Sequence, residues 1–140
     1  ADTFSADVMP ETFSKTILGT LTRGSVVNLE LPATPTTFLS GHIVQGHVDD
    51  TGTVQSIRPN GESRIVTFVL PQTLLTFVVP KGSITVNGVS LTLIEVKGDI
   101  VSVGIIPHTW EHTSLRFLQK GSAVNIETDV LGKYLLKAKK

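Results

Sequence analysis

The sequence predicts an all-β protein, a closed barrel with a few short helices. Val, Ile and Thr, the residues that pleated sheets favour, are abundant, and 12 glycines are available for tight turns. Short apolar runs recur at regular spacing and are separated by turn sequences. Strands at such spacing, with few helical segments between them, favour a closed barrel over an open sheet.

Two hairpins are the clearest elements of the predicted barrel. The apolar runs at residues 54–57 and 64–70 flank a segment that contains Asn60-Gly61, a dipeptide that adopts positive φ at little cost. A second pair of runs, 91–96 and 100–106, surrounds Lys97-Gly98-Asp99. The remaining predicted elements are a last strand at Ala123–Thr128 and helical turns at residues 71–77 and 109–118.

Length and composition limit the class of protein. The 140 residues suffice for one domain, and 40% hydrophobic residues with only 17% charged ones argue against disorder. A formal net charge of zero makes the chain a poor candidate for a nucleic-acid binder. The absence of cysteine excludes a disulfide scaffold, a thiolate nucleophile and a Cys-based metal site in these residues.

No segment of the sequence predicts membrane insertion or export. No apolar run approaches the ~20 residues of a membrane-spanning helix. The opening Ala-Asp-Thr-Phe-Ser-Ala-Asp has neither a basic nor an apolar region, so it does not form a signal peptide, and its lack of a starting Met hints at a processed or excised chain. We expect a cytoplasmic protein.

The chain contains an internal repeat. Residues 4–30 align without gaps with residues 101–127, so that Pro10 matches Pro107 at an offset of 97 residues. Of the 27 aligned pairs, 11 are identical, where chance would give roughly one or two. Converging strand–helix–strand propensities would explain the apolar spacing but not the shared Pro-x-Thr and Gly-Ser-x-Val-Asn. We interpret residues 1–35 as the tail of a first barrel with its linker, and residues 36–140 as a complete second barrel.

The residues that could bind a ligand or take part in catalysis lie in four stretches of the chain: 40–49, 81–92, 105–113 and 125–129. They include Gly-His-x-x-x-Gly-His-x-Asp, Asn-Gly-x-Ser-Leu-Thr and Pro-x-Thr-x-x-x-Thr in that order, each weak alone and highly specific together. With the two-copy repeat, these motifs resemble the riboflavin synthase family and its relatives, the lumazine-binding proteins. The resemblance covers the whole chain, although the usual Gly-Gly-His start of the first motif is Ser40-Gly41-His42 here.

Most of the motif residues allow both a structural and a functional interpretation. Histidine titrates near neutral pH, so His47 could exchange a proton with a ligand or be a hydrogen-bonded structural residue, and on a strand it would face away from His42. Ser90 and Thr92 would share one face of a strand, where their hydroxyls could bind a polar heterocycle or simply belong to the sheet. Asp129 follows the last strand and could cap a C-terminal helix.

Three further motif residues have equally plain alternatives. Lys81, between Pro80 and Gly82, would lie in a loop as a solvated surface lysine. Thr109 could cap a helical turn, which is compatible with ligand contact. Trp110 could belong to the core or line a pocket.

The resemblance implies a six-stranded Greek-key closed barrel, riboflavin-synthase-like, with a fragment of a second, homologous barrel. It implies the dismutation of two molecules of 6,7-dimethyl-8-ribityllumazine, in which a four-carbon unit passes between them to give riboflavin and a ribitylamino-pyrimidinedione. No metal or organic cofactor is needed, because the electron-poor substrate ring stabilises a carbanion at its own 7-methyl group. In the family each barrel binds one lumazine, and reaction occurs where two barrels from different subunits of a homo-oligomer, a trimer, meet.

The resemblance also implies which residues form the site. Catalytic roles are implied for His47, Ser90, Thr92 and Asp129, the last reaching a neighbouring barrel. Substrate contacts are implied for Asp7, Val8, Met9, Pro10, Glu11, Thr12, Gly46, His47, Val48, Lys81, Ser90, Leu91, Thr92, Ile105, Ile106, Pro107, His108, Thr109 and Trp110. The second barrel would thus supply one half-site, and residues 7–12 would be the surviving ligand segment of the first barrel.

Two other functions fit parts of the sequence. A lumazine or flavin carrier would keep the barrel without turnover, although retention of all four implied catalytic residues favours an enzyme. Residues 108–112 read His-Thr-Trp-Glu-His, the H-x-x-E-H motif of some zinc peptidases. Against zinc, the helical segment is short, Pro107 opens it, and the first copy has no histidine at the equivalent positions.

Overall fold

Six antiparallel strands form a closed barrel in the computed structural model, which describes residues 3–38 and 41–139. The strand order around the barrel is β1-β2-β5-β4-β3-β6, with β6 returning beside β1. This order is a Greek key, because β3, β4 and β5 are consecutive neighbours and β6 returns to lie beside β3. The strands are β1 (Asp50–Asn60), β2 (Ser63–Val69), β3 (Ser83–Val86), β4 (Val89–Lys97), β5 (Ile100–Ile105) and β6 (Ala123–Thr128).

The helices are short and lie outside the barrel strands. They are α1 (Pro10–Lys15), α2 (Pro107–His112) and α3 (Val130–Ala138), with 3-10 helices at Ile17–Thr20, Gln72–Phe77 and Ser114–Phe117. The prediction of an all-β, six-stranded closed barrel with short helices is therefore confirmed. None of the helices in the described part of the chain is both long and apolar enough to cross a membrane.

Three tight turns fix the hairpin registers. Both predicted hairpins form with two-residue turns, in which Gly61 and Gly98 supply positive φ values of 58° and 61°. The third hairpin joins β3 to β4 through Asn87-Gly88, where both residues have positive φ, the requirement of a type I′ turn. The apolar runs of the sequence did not predict β3.

The barrel interior is filled by side chains that alternate along the strands. In β5, Val101, Val103 and Ile105 are fully buried while Gly104 faces outward, as the period of two of a strand requires. On β1, the glycine at position 52 leaves room for Leu70, because a Cβ there would lie 2.9 Å from Leu70 Cδ2. Each fully buried Val, Leu, Ile or Phe contributes about 1.5–3 kcal/mol. The remaining buried core residues are Val54, Val66, Phe68, Leu70, Leu74, Val78, Ile84, Val86, Leu91, Leu93, Leu115, Val124 and Ile126.

The two copies of the repeat adopt the same local structure at their centres. At the offset of 97 residues, α1 and its following 3-10 helix match α2 and its following 3-10 helix residue for residue. Each 3-10 helix is capped by the equivalent threonine hydroxyl, Thr16 accepting from the Leu18 N–H and Thr113 accepting from the Leu115 N–H. Gly24 and Gly121 end the equivalent turns with φ values of 95° and 90°.

The two copies also contact each other reciprocally. Asn28 Oδ1 accepts the Ser114 N–H at 2.7 Å, and the equivalent Asn125 Oδ1 accepts the Ile17 N–H at 2.8 Å. The copies differ where the second copy forms strands, since residues 4–8 and 26–30 form none, whereas their equivalents belong to β5 and β6. A strand needs hydrogen-bonded neighbours, and the described residues provide none for these two segments of the first copy.

Candidate functional site

Residues 41–49, an irregular segment that we call the histidine segment, lie across the outer face of β4, β3 and β6. The first residue of this motif, Ser40, lies outside the described residues. His42 is held between two hydroxyls, with Nδ1 2.7 Å from Ser90 Oγ and Nε2 3.1 Å from Thr85 Oγ1. Thr85 and Ser90 are cross-strand partners, so their hydroxyls lie side by side on the outer face. Gly41 permits this approach, because a Cβ there would lie 2.7 Å from Ser90 Oγ.

A buried carboxylate fixes the middle of the histidine segment. Glu127 on β6 is only 5% exposed. Its Oε1 accepts the Gln45 N–H at 2.8 Å, and its Oε2 accepts the Gly46 N–H at 3.0 Å. Thr85, which binds His42, is also the cross-strand partner of Glu127. Thr85 and Glu127, which are outward-facing neighbours in the sheet, therefore bind the segment at His42 and at Gln45-Gly46.

The end of the segment is fixed by Asp49. Its Oδ2 accepts both the N–H and the hydroxyl of Thr128 at 2.8 Å, and its Oδ1 lies 2.6 Å from Lys133 Nζ on α3. Burial raises the pKa of Asp49, but the hydrogen bonds from Lys133 and Thr128 and the lysine charge outweigh it, and the pKa lies below its usual range. The last motif residue of the segment thus ties α3 to the barrel.

His47, between these anchored positions, is exposed. It follows Gly46, which has a left-handed φ of 75° that few residues other than glycine adopt readily. The expectation that His42 and His47 face opposite ways on a strand does not apply, because residues 41–48 form no strand. Val48, the next motif residue, is half-buried. The imidazole of His47 is therefore free to meet a ligand above the barrel surface.

Ser90 and Thr92 both lie exposed on the outer face of β4, as their spacing predicted. Leu91 between them is buried in the core, so a ligand outside the barrel can meet its backbone but not its side chain. Ile105 is likewise fully buried. Thr92 pairs with Ser83 at the edge of the β3–β4 hairpin. The two hydroxyls, with His42 beside Ser90, form a polar surface that a ligand can reach.

Ile106 and the start of α2 directly follow β5, the strand that pairs with β4. Ile106 is 59% exposed, and Pro107 begins the helix. Thr109 does not cap the helix as expected, because α2 begins two residues earlier and has no side-chain cap; its carbonyl instead accepts the Thr113 hydroxyl. Trp110 is half-buried against the core, and Arg64 lies 5.9 Å from its ring centroid. Of this stretch, Ile106 is the residue best placed to cover an apolar ring.

The two charged residues at the loop ends have clear structural roles. Lys81 is exposed with a φ of 65°, and its N–H donates to the Leu93 carbonyl at 2.8 Å. Asp129 is the N-cap of α3, where its Oδ1 accepts the Leu131 N–H at 3.0 Å, as the alternative interpretation held. Neither contact prevents the side chain from meeting a ligand.

Residues 7–12 of the first copy are mostly exposed, and α1 begins within them at Pro10. Among the hydrogen bonds of the described residues, none joins this stretch to the histidine segment. Hydrogen bonds therefore link the stretches 41–49, 81–92 and 125–129 to one another, and none of those described links residues 7–12 to them.

The H-x-x-E-H stretch is used locally in α2. The rings of His108 and His112 stack with centroids 4.2 Å apart, and His112 Nδ1 lies 2.8 Å from the His108 carbonyl oxygen. Over residues 3–38 and 41–139, no group of three or more His, Asp or Glu side chains is arranged to hold a metal ion.

A polar groove of about 220 Å³ lies elsewhere on the barrel wall, outside strands β1, β2, β5 and β4. It contains none of the residues that the sequence predicted for the site. Its lining residues are Gln55, Ser56, Arg58, Thr67, Glu95, Lys97, Ile100 and Ser102.

Comparison with known proteins gives a consistent result. The lumazine binding domain family model matches residues 45–129. Riboflavin synthase from Actinobacillus pleuropneumoniae is 42% identical over 132 residues, which cover 94% of this chain and 61% of that protein. Riboflavin synthase from Mycobacterium tuberculosis (strain H37Rv) is 44% identical over 135 residues, 94% of this chain and 67% of that protein. The chain thus spans somewhat over three fifths of the length of these relatives.

Solved structures of similar fold are complexes of LumP. The complex with riboflavin superposes with a TM-score of 0.78 at 28% identity, covering 84% of this chain and 64% of that one. The complex with 6,7-dimethyl-8-(1'-D-ribityl) lumazine gives 0.76 at 27% identity, covering 86% and 64%. The complex with flavin mononucleotide gives 0.72 at 29% identity, covering 84% and 63%.

Proposed function

Because this chain belongs to the lumazine-binding domain family, we propose that it is the greater part of a riboflavin synthase. The reaction is the dismutation of two 6,7-dimethyl-8-ribityllumazine molecules to riboflavin and a ribitylamino-pyrimidinedione. The observation that carries the proposal is the identity of 42–44% to riboflavin synthases over 94% of the chain. The outer-face arrangement of the histidine segment with Ser90 and Thr92 supports it.

The proposed site lies outside the barrel, because the interior is filled with apolar side chains. A lumazine ring would lie over the exposed ends of β4 and β5, with Ile106 against its face and the Ser90 and Thr92 hydroxyls toward its polar edge or ribityl tail. His47 would exchange the proton that the 7-methyl group must lose, since imidazole titrates near neutral pH. His42, held by Ser90 and Thr85, would orient the Ser90 hydroxyl.

The main catalytic contribution of the protein would be proximity. Two rings held in reacting geometry avoid much of the entropic cost of a bimolecular step. One barrel supplies one half-site, so a second lumazine requires another barrel. We propose that residues 1–35 are the tail of a first barrel and that residues 36–140 are the second. The matched caps of Thr16 and Thr113 and the reciprocal Asn28 and Asn125 contacts support this division.

We also propose a homo-oligomer in which Asp129 reaches a neighbouring barrel. Exposed apolar side chains support this proposal, since Tyr134 and Leu135 on α3 are 69% and 65% exposed. The first copy exposes others, including Phe4 at 72% and Leu29 at 70%. These surfaces would pack against further barrels.

A lumazine or flavin carrier is the second candidate function. The observation that favours it is the structural similarity to LumP in complex with riboflavin, with 6,7-dimethyl-8-(1'-D-ribityl) lumazine and with flavin mononucleotide. A carrier needs only one half-site, which this chain contains. Both functions use the same outer face, so turnover distinguishes them.

The deciding experiment measures binding and turnover together. Titration of the chain with 6,7-dimethyl-8-ribityllumazine, followed by ligand fluorescence, should show one site per barrel. The chain is then incubated with excess lumazine, first alone and then with a longer protein that contains a complete first barrel. The mixture with the complete first barrel should consume lumazine and produce riboflavin. Tight riboflavin binding without turnover, even beside a complete first barrel, would assign the carrier function instead.

A further inference from the structure

Glu127 is a buried carboxylate that none of the steps above uses. Its side chain is 5% exposed, and Val124 and Ile126 on the same strand are fully buried. Charged residues are almost never fully buried unless they are paired. None of the hydrogen bonds or ion pairs described here joins it to a cation. Its two oxygens instead accept the successive N–H groups of Gln45 and Gly46. A buried charge satisfied by loop backbone alone must have the loop in place.

We propose that Glu127 is a positioning residue, which fixes the backbone before His47 so that the imidazole meets the ligand. The inference rests on the proposed function, because it gives His47 a ligand to meet. Both hydrogen bonds of the Glu127 carboxylate go to backbone N–H groups, so its effect on a ligand passes through Gln45 and Gly46. His47 follows these residues directly, and a change in their backbone angles redirects its side chain.

A carboxylate suits this task better than any neutral side chain. It offers an acceptor oxygen to each of two N–H donors, and hydrogen bonds to a charged acceptor are roughly twice as strong as neutral ones. The left-handed φ of Gly46 lets successive N–H groups converge on one anion, as in other backbone anion sites. A glutamine has one acceptor oxygen and would turn its NH₂ group toward the second N–H donor. We call the two hydrogen bonds from the Gln45 and Gly46 N–H groups to Glu127 the clamp. Glu127→Gln therefore keeps the shape of the side chain and removes one of these two bonds.

The residue that binds His42 lies beside Glu127 in the sheet. Thr85 pairs with Glu127 across β3 and β6, and the Thr85 hydroxyl binds His42 Nε2. The histidine segment is therefore attached to adjacent residues of the sheet on both sides of residues 43–44. Such attachment fixes the separation between the anchored His42 and the exposed His47.

The test compares Glu127→Gln with Glu62→Gln, a matched control at the exposed turn between β1 and β2. Dissociation constants for 6,7-dimethyl-8-ribityllumazine are measured by fluorescence titration, and amide exchange is measured by NMR. In the unmodified chain, the Gln45 and Gly46 amides should be protected. Glu127→Gln should lose this protection and weaken binding about tenfold, the loss of one charge-assisted hydrogen bond, while the core amides of Val101 and Val103 keep theirs. Glu62→Gln should change neither measurement.

A second variant covers the case in which Glu127→Gln does not fold. Gly46→Ala leaves β6 unchanged, and an added Cβ would meet no atom within 4 Å, but it opposes the left-handed φ. It should also loosen the Gln45 amide and weaken binding. Glu127→Asp, which keeps the charge on a shorter side chain, should restore part of the affinity.

The two proposals fail in different ways. If the unmodified chain binds no lumazine, the proposed function fails, and the ligand role of Glu127 fails with it even if the amides are protected. If the unmodified chain binds lumazine and Glu127→Gln binds it equally tightly with loosened amides, only the positioning role is overturned. Unprotected Gln45 and Gly46 amides in the unmodified chain would overturn the clamp itself.

Discussion

The Asp49–Lys133 pair should stabilise the junction of the histidine segment, β6 and α3, and the substitution Asp49→Asn isolates it. In the structure both Thr128 bonds go to Oδ2, and the lysine bond goes to Oδ1. An asparagine can keep the Thr128 bonds with its carbonyl oxygen and then points its NH₂ group at the lysine. The variant therefore loses the ion pair and little else.

The magnitude follows from the partial burial of the pair. The side chains are 22% exposed for Asp49 and 30% for Lys133. Exposed ion pairs contribute about 0–1 kcal/mol, while breaking a fully buried pair costs about 3–5 kcal/mol. A half-buried pair with one short contact lies between these limits, so Asp49→Asn should cost about 1–2 kcal/mol in unfolding free energy. Asp49→Ala, which also removes the Thr128 bonds, should cost about 1 kcal/mol more.

Urea unfolding of Asp49→Asn, Lys133→Met and the double variant gives the coupling energy of the pair. We expect about 1 kcal/mol of coupling. Independent sites deviate from additivity by only ~0.3–0.5 kcal/mol. The contribution should also depend on pH. The folded-state pKa of Asp49 lies below the ordinary value of 3.8, so the carboxylate stabilises the fold above that value, and this stability is lost as the pH falls through the folded-state pKa. Zero coupling, or an unchanged acid-side loss of stability in Asp49→Asn, would refute the assigned role of the pair.

Three further predictions concern the barrel and its neighbours. Phe68→Ala, at a fully buried core position, should cost about 3–5 kcal/mol in urea unfolding. Asn28→Ala should cost about 1–3 kcal/mol, because the nine-tenths buried Ser114 loses the acceptor of its N–H; Asn28→Asp, which keeps an acceptor oxygen, should cost less. Gly41→Ala would place a Cβ 2.7 Å from Ser90 Oγ, so we expect lumazine affinity to fall more than stability; equal binding would show that the Ser90 hydroxyl does not contact the ligand.

Local signals explain why the hairpins were predictable from the sequence and β3 was not. Gly61 and Gly98 occupy turn positions that need positive φ, and apolar runs on each side specify the strands. β3 is only four residues long, too short to show a clear period, and its pairing with β6 joins residues some 40 positions apart. The helical segment predicted at 109–118 begins at Pro107 instead and is divided at Thr113, whose hydroxyl caps the next turn. Contacts between distant parts of the chain decided β3, whereas local signals at Pro107 and Thr113 set the helix boundaries.

The same division applies to the candidate site. The sequence motifs identified His42 and Ser90, but not that they touch, because their contact spans 48 positions. Glu127 lies in the stretch 125–129, but no role was predicted for it. Ile126 and Thr128 flank it in the predicted strand, so nothing in the local pattern indicated that its side chain is buried. The partner could not be identified from the sequence, because it is the backbone of Gln45 and Gly46 rather than a cationic side chain.

The three anchors of the histidine segment give a physical reason for the spacing of its motif. His42 binds β3 and β4, the Gly46 N–H binds Glu127, and Asp49 binds β6 and α3. His47 stands between two of these anchors with an exposed side chain. This placement supports the proposed contact between His47 and the ligand.

This arrangement predicts opposite effects for the two histidines. His47→Ala should leave the unfolding free energy within about 0.5 kcal/mol of the parent, because surface changes away from buried contacts are usually that small. Lumazine turnover, or affinity where one half-site is assayed alone, should fall clearly. His42→Ala removes contacts to Ser90 and the buried Thr85, so its loss of stability should be about 1–2 kcal/mol. If His47→Ala instead loses folded protein in proportion to function, then His47 is a structural residue, and the proton exchange proposed for it must belong to another group.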